Sequence, residues 1–260
     1  MDAMSQALII TGMHRSGTSF VAELFKSAGL HIGERLFPGD ADDPRGSFED
    51  EDIRTLQRAM VAKACPPGVV GWPDWGWTEQ EELNEDVWAS DEPAMRALAK
   101  QRERHRIWGW KDPRTTLLLE QWLRVLPEAR FLFVVREPWK VAPSVQRLPS
   151  ELFRTRPEAS VRMWLYYNNR LLDFTKKHRE RCVIMPMPWL MNTPHSVLTH
   201  AITKLDIDGL RFDAMRSREI LDGRKRDAVE ANAEYERSFR LEHRDAVILW
   251  QKLQAAASGI

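Results

Sequence analysis

The stretch Ala7-Leu-Ile-Ile-Thr11-Gly12-Met-His-Arg-Ser-Gly-Thr-Ser19 constrains the fold more than any other part of the chain. Residues 7–11 carry no charge and are rich in β-branched side chains, as expected of a short strand buried on both faces. They run directly into a loop of glycines and hydroxyl residues. Phe20, Val21, Leu24, Phe25 and Ala28 then recur at helical spacing, and Gly29 supplies a stop. Strand, tight loop and helix in that order belong to a parallel α/β sheet, whose ligands sit beyond the carboxyl ends of the strands.

The loop itself points to an anion. Gly12-x4-Gly17 has the glycine spacing of the phosphate loop G-x-x-x-x-G-K-[ST], but Thr18 stands where the lysine belongs. Glycines let the backbone wrap an anion, and the helix that follows offers unpaired N–H groups and the positive end of its dipole. Phosphate binding therefore survives the substitution. What is lost is the lysine that reaches the outer phosphates, and with it much of the case for a magnesium-dependent kinase or nucleotidase. Arg15 restores a cation inside the loop, Ser16, Thr18 and Ser19 add hydroxyls, and His14 is a further candidate contact.

The rest of the chain repeats the alternation. Ile107–Trp110, Ala129–Val135 and Val183–Met185 read as further strands. Helices are expected around Ile53, Leu56, Met60 and Val61, at 92–106, and around Leu118, Trp122, Val125 and Leu126. Another is expected at 158–179, with Val161, Trp164, Leu165, Leu171 and Leu172 inward, and more across 194–258. Residues 65–78 show no periodicity and hold Trp72, Trp75 and Trp77, either a stacking wall for a sugar or aromatic acceptor or a loop packed by its own side chains. The pattern implies a three-layer αβα domain spanning 1–260 around a central parallel sheet, with the loops at 12–19, 111–114 and 136–144 on one rim.

Composition narrows the partners. Basic and acidic residues balance at 38 each, so no overall field draws the protein to nucleic acid or an anionic membrane, and anion binding must be local. Cys65 and Cys182 stand far apart with no CxxC partner, which argues against a disulfide framework or zinc site. No apolar run reaches membrane-spanning length, and a cytoplasmic protein is expected.

Arg15-Ser16-Gly17-Thr18-Ser19, placed between the first strand and helix, resembles the 5′-phosphosulfate loop of sulfotransferases that use 3′-phosphoadenosine 5′-phosphosulfate (PAPS), above all the bacterial and carbohydrate-type branch. The resemblance implies the P-loop NTPase-like sulfotransferase fold, with PAPS as co-substrate, adenosine 3′,5′-bisphosphate (PAP) as product and no metal. It implies transfer of a sulfuryl group to a hydroxyl or amine of a small-molecule or carbohydrate acceptor. The family grips the 3′-phosphate with an arginine ending a strand and a serine eight positions later, matched by Arg136 and Ser144. Lys111-Asp112-Pro113-Arg114 resembles a Lys-Asp-Pro-Arg segment of the bacterial branch. Arg15 and Lys111 are thus candidates to stabilise charge on the bridging oxygen, Lys111 alternatively forming a structural ion pair, and Arg114 is either structural or nucleotide-positioning.

Cytosolic relatives carry a histidine two positions beyond that lysine, where this chain has Pro113, so the base comes from elsewhere. Gly46-Ser-Phe-Glu49-Asp50 resembles the Gly-x-Phe-Glu segment of the bacterial branch and implies Glu49 as base, with Asp50 and Asp112 behind it. Trp189-Leu-Met-Asn-Thr-Pro194 and Leu205-Asp-Ile match a packing segment of the family without its usual acidic residue. Arg211, Arg216, Arg218, Arg224, Lys225 and Arg226 are either a basic loop over the 3′-phosphate or a solvated face. Two other readings stay open: a kinase or nucleotidase with a degenerate loop, and a non-catalytic anion-binding protein of the same fold.

Overall fold

The computed structural model describes residues 5–39, 46–66, 71–72, 77–78, 82–148, 150–226 and 232–258. Along the chain the elements are β1 (Gln6–Thr11), α1 (Thr18–Ser27), α2 (Glu51–Ala64), β2 (Gly71–Trp72), β3 (Trp77–Thr78), α3 (Glu92–Arg102), β4 (Ile107–Lys111) and α4 (Leu119–Val125). There follow β5 (Arg130–Val135), α5 (Pro138–Gln146), α6 (Glu151–Thr155), α7 (Ala159–Lys177), β6 (Cys182–Pro186), α8 (Met187–Asn192), α9 (Pro194–Lys204), α10 (Ala214–Arg226), α11 (Ala233–Glu242) and α12 (Arg244–Ala257). Three 3-10 turns lie at Glu85–Asp91, Pro113–Leu117 and Arg179–Arg181.

The main sheet has the order β4-β1-β5-β6 and every pairing in it is parallel, with Ile9 opposite both Trp110 and Phe131. Because side chains alternate along a strand, each strand splits its apolar residues between two cores. Ile9, Trp110, Phe131, Phe133 and Ile184 pack with residues of α2, α3, α4, α5, α7 and α12. Leu8, Ile10, Leu132, Val134 and Val183 pack with α1, α8, α9 and α10. Those are the three layers. From β1 the chain passes first to β4 on one side and then to β5 on the other, so the crevice at the carboxyl ends of β1 and β5 is the topological switch point.

Five elements depart from the pattern read in the sequence. The helix expected over 92–106 ends at Arg102, whose guanidinium is drawn into the core to Asp50, and the backbone of Arg106 already accepts from Gln6 N–H at 2.8 Å. Within 65–78, β2 and β3 form an antiparallel pair with Trp72 opposite Trp77, where only loop was expected. Trp75 and the side chains of Trp72 and Trp77 lie outside the described residues. On α7, Leu165 is only half-buried while Tyr167 and Asn168 face inward. Along α2 the buried stripe runs through Ile53, Gln57, Met60, Val61 and Ala64, so Leu56 lies at its margin.

The start of α2 is fixed by Asp50. Its carboxylate accepts from the N–H groups of Asp52 (3.0 Å) and Ile53 (3.1 Å), from Glu34 N–H (3.2 Å), and from Arg102 Nη2 through both oxygens (2.7 and 2.8 Å). Removing one partner of a buried pair costs about 3–5 kcal/mol, because the other charge is left uncompensated.

Candidate active site

Thr11, the last residue of β1, ties the rim together: its hydroxyl donates to Asp112 O (2.8 Å) and lies 2.9 Å from Thr116 Oγ1. The chain then turns through Gly12, whose φ of 142° suits glycine and where a Cβ would lie 2.2 Å from Val134 O. Arg15 (φ 64°) and Gly17 (φ 94°) are also left-handed, so the loop curls back on itself before α1 begins. Gly17 is the N-cap and has no side chain to occupy the first N–H groups of α1, which leaves them to a ligand. Thr18 and Ser19 open α1, Thr18 buried and Ser19 half-buried. Ser16 Oγ is buried and has no hydrogen-bond partner among the described residues. A hydroxyl so placed costs free energy unless something binds it.

Arg136 follows β5 directly. Burial lowers its pKa, with Glu137 opposing and the neighbouring Arg15 and Arg147 lowering it further. Its Nη1 donates to Arg15 O (3.4 Å), while Trp164 Nε1 donates to Arg136 O (3.1 Å). Arg15 Nε donates to Ser144 Oγ at 3.0 Å. Ser144 sits on the second turn of α5, one turn further in than the helix start. The two sequence segments expected to bind anions thus meet side chain to side chain, through residues 129 positions apart.

Beside them lies a buried charge cluster. Glu49, 7% exposed just before α2, accepts from Lys111 Nζ (2.9 Å) at the end of β4 and from Arg114 Nη1 (3.4 Å), and Arg54 Nε stands 3.3 Å away. Burial alone would raise its pKa, but Lys111 and Arg114, helped by His14, bring it down to about 2. Arg114 also donates to Asp112 Oδ1 (2.8 Å), and Asp112 caps the 3-10 turn at Pro113–Leu117 through Arg114 N–H (2.8 Å). Gln57 Nε2 donates to the other oxygen of Asp112 (2.8 Å), and Gln57 Oε1 accepts from Thr115 Oγ1 (2.8 Å) and Trp122 Nε1 (3.0 Å). Of the three carboxylates read as candidate bases, Asp50 and Asp112 have both oxygens engaged in structural bonds. Glu49 is the one facing Lys111 and the loop.

The family-wide sequence profile described as "Sulfotransferase family" matches residues 7–211, most of the chain. The chain belongs to the sulfotransferase family. None of the curated proteins matches it. The sulfotransferase from Alicyclobacillus acidocaldarius shares its fold, with a TM-score of 0.55 at 14% identity over 97% of this chain and 96% of that one. Sulfotransferase STF1 from Mycobacterium tuberculosis H37Rv aligns with a TM-score of 0.49 at 16% identity, covering 85% of this chain and 72% of that one. Mouse sulfotransferase SULT7A1, solved in complex with PAP, gives 0.42 at 11% identity, over 90% of this chain and 69% of that one.

In this sulfotransferase the expected residues Gly12, His14, Arg15, Ser16, Gly17, Thr18, Ser19, Glu49, Lys111, Arg136 and Ser144 all lie at the rim formed by the ends of β1, β4 and β5 and the starts of α1, α2 and α5. Arg211, Arg216 and Arg218 are exposed at and before the start of α10, and Arg216 pairs with Glu219 (3.1 Å) rather than reaching the loop. The side chains of Arg224, Lys225 and Arg226 lie outside the described residues. Sequence reasoning missed Arg54, Gln57, Trp164 as a bonding group, and Tyr167, whose buried ring meets His14 edge-on at 6.0 Å. Gln57 had left a signal: a polar residue in step with Ile53 and Met60 on an otherwise apolar stripe. Among the described residues no helix is long and apolar enough to cross a membrane.

Proposed function

We propose that this sulfotransferase takes a sulfuryl group from PAPS and passes it in line to a hydroxyl or amine of a small-molecule or carbohydrate acceptor, releasing PAP. The observation that carries this reading is the Arg15–Ser144 bond beside Arg136, because it joins a phosphate loop to a second cationic anchor at one switch point. A donor with phosphate groups on both 5′ and 3′ positions needs two such anchors, whereas ADP or ATP needs one. The 5′-phosphosulfate lies in the loop 12–19 against the start of α1, and Arg136 with Ser144 takes the 3′-phosphate.

Sulfuryl transfer forms a bond from acceptor oxygen to sulfur and breaks the bond from sulfur to the bridging oxygen of the phosphate. Negative charge grows on that bridging oxygen, where Arg15 and Lys111 supply positive charge. The acceptor's proton goes to Glu49. As Lys111 turns from Glu49 Oε1 to the bridging oxygen, that carboxylate oxygen loses a cationic partner and becomes more basic, so donor binding prepares the base.

A screen of acceptors with sulfur-labelled PAPS tests this. Wild-type protein should label at least one hydroxyl or amine acceptor class and release PAP, and Lys111→Ala should not. Tight PAP binding with no transfer to any acceptor would instead favour an anion-binding protein that keeps the fold alone.

A further inference from the structure

The end of the sheet opposite the donor rim holds a second convergence of polar side chains. His31 bridges to Trp108 on the outer edge of β4: its N–H donates to Ile107 O (3.1 Å) and its carbonyl accepts from Gly109 N–H (2.9 Å). Glu34 lies three residues on, its N–H bonded to Asp50 Oδ2 (3.2 Å). His105 stands in the turn before β4, its N–H bonded to Arg102 O (3.0 Å). Backbone bonds therefore fix all three residues, and their side chains meet. Glu34 Oε1 is 3.3 Å from His31 Nε2 and 3.1 Å from His105 Nε2, and the three ligand-type atoms all lie within 4.8 Å of one another.

The two carboxylate–imidazole separations match the edges of a coordination polyhedron. In a tetrahedral site with metal–ligand bonds of about 2.0–2.1 Å, adjacent ligand atoms are about 3.3 Å apart. His31 Nε2 is buried, and its neighbour at 3.3 Å is Glu34 Oε1. A cation already occupies the convergence point: Arg104 donates from Nε to His105 Nε2 (3.3 Å) and from Nη2 to Glu34 Oε1. Arg104 is 62% exposed, so this clasp is weak and easily released.

We propose that His31, Glu34 and His105 form a peripheral binding site for a divalent transition cation of the zinc class, completed by water, in which the metal displaces Arg104. Two imidazoles and one carboxylate suit zinc, cobalt or nickel better than magnesium or calcium. The rings now stack with centroids 3.6 Å apart, so one must turn for both lone pairs to converge. His105 is free to do so, being 31% exposed, while His31 is held by the sheet edge. The site lies away from the anion loop and does not depend on the sulfuryl-transfer reading.

Co2+ titration of tag-free, chelator-stripped protein tests the site through the visible bands of four-coordinate cobalt, with Zn2+ as competitor. Wild-type protein should bind one equivalent with micromolar or tighter affinity. His105→Ala and Glu34→Gln should weaken binding by at least about tenfold. Arg104→Ala should tighten it, which a mere arginine clasp does not predict. All three replaced residues are partly exposed, and circular dichroism checks that the variants fold. Absence of stoichiometric binding, affinity unchanged in the Glu34 or His105 variants, or weaker binding in Arg104→Ala would overturn the proposal.

Discussion

Burial would keep Glu49 protonated, yet Lys111 and Arg114 hold its pKa at about 2, below the ordinary 4.5. A carboxyl whose pKa is depressed on folding stabilises the protein above its unfolded value and loses that contribution as pH falls toward the folded one. Stability of the wild type should therefore decline between about pH 4.5 and 2 more steeply than that of Glu49→Gln, as read from denaturant midpoints at each pH. The same variant should keep PAP affinity while turnover drops roughly 10²- to 10⁴-fold; full activity would remove Glu49 as base. If Arg136 holds the 3′-phosphate as proposed, Arg136→Ala should weaken PAP binding about 10- to 150-fold, measured by calorimetry. Arg15, Lys111 and Arg136 were legible in the sequence because each sits at a strand end within a dense motif. Tyr167 was not, because an aromatic residue on a helix stripe looks the same whether it packs a core or lines a site.

At the scale of elements, the strands were the most readable part. Every residue from Phe131 to Val135 is apolar and buried, which only a strand covered on both faces requires. Helix ends were less readable, because they depend on tertiary bonds: α3 stops where Arg102 meets Asp50, fifty-two positions earlier in the chain. Asp50→Asn removes that ion pair and weakens the cap of α2, and it should cost about 3–5 kcal/mol, visible as a lowered thermal midpoint. Gly12→Ala puts a Cβ against Val134 O at a positive φ, so the loop cannot leave β1 past β5. This variant should lose PAP binding even under conditions where circular dichroism shows it folded. The β2–β3 pair escaped sequence reading because two-residue strands carry no periodicity.

The whole molecule joins these parts at one place. Sheet order β4-β1-β5-β6 brings the loops after three strands to a single rim, so residues 12–19, Glu49, Lys111, Arg136 and Ser144 converge although they span most of the matched region. Fold class and the segments that meet at the rim were legible because strand pattern and glycine-rich or cationic loop motifs are local in sequence. The side chains around Glu49 and Asp112 were not, since Arg114 reaches Glu49 and Gln57 reaches Asp112 only through the packing of α2 against the turn after β4. The central claim is that two anchors select a nucleotide carrying phosphate on both 3′ and 5′ positions. Calorimetric titration with PAP and with ADP, in chelator and without magnesium, tests it most directly. PAP should bind at least about 100-fold more tightly than ADP. Equal affinities, or a requirement for magnesium, would contradict it.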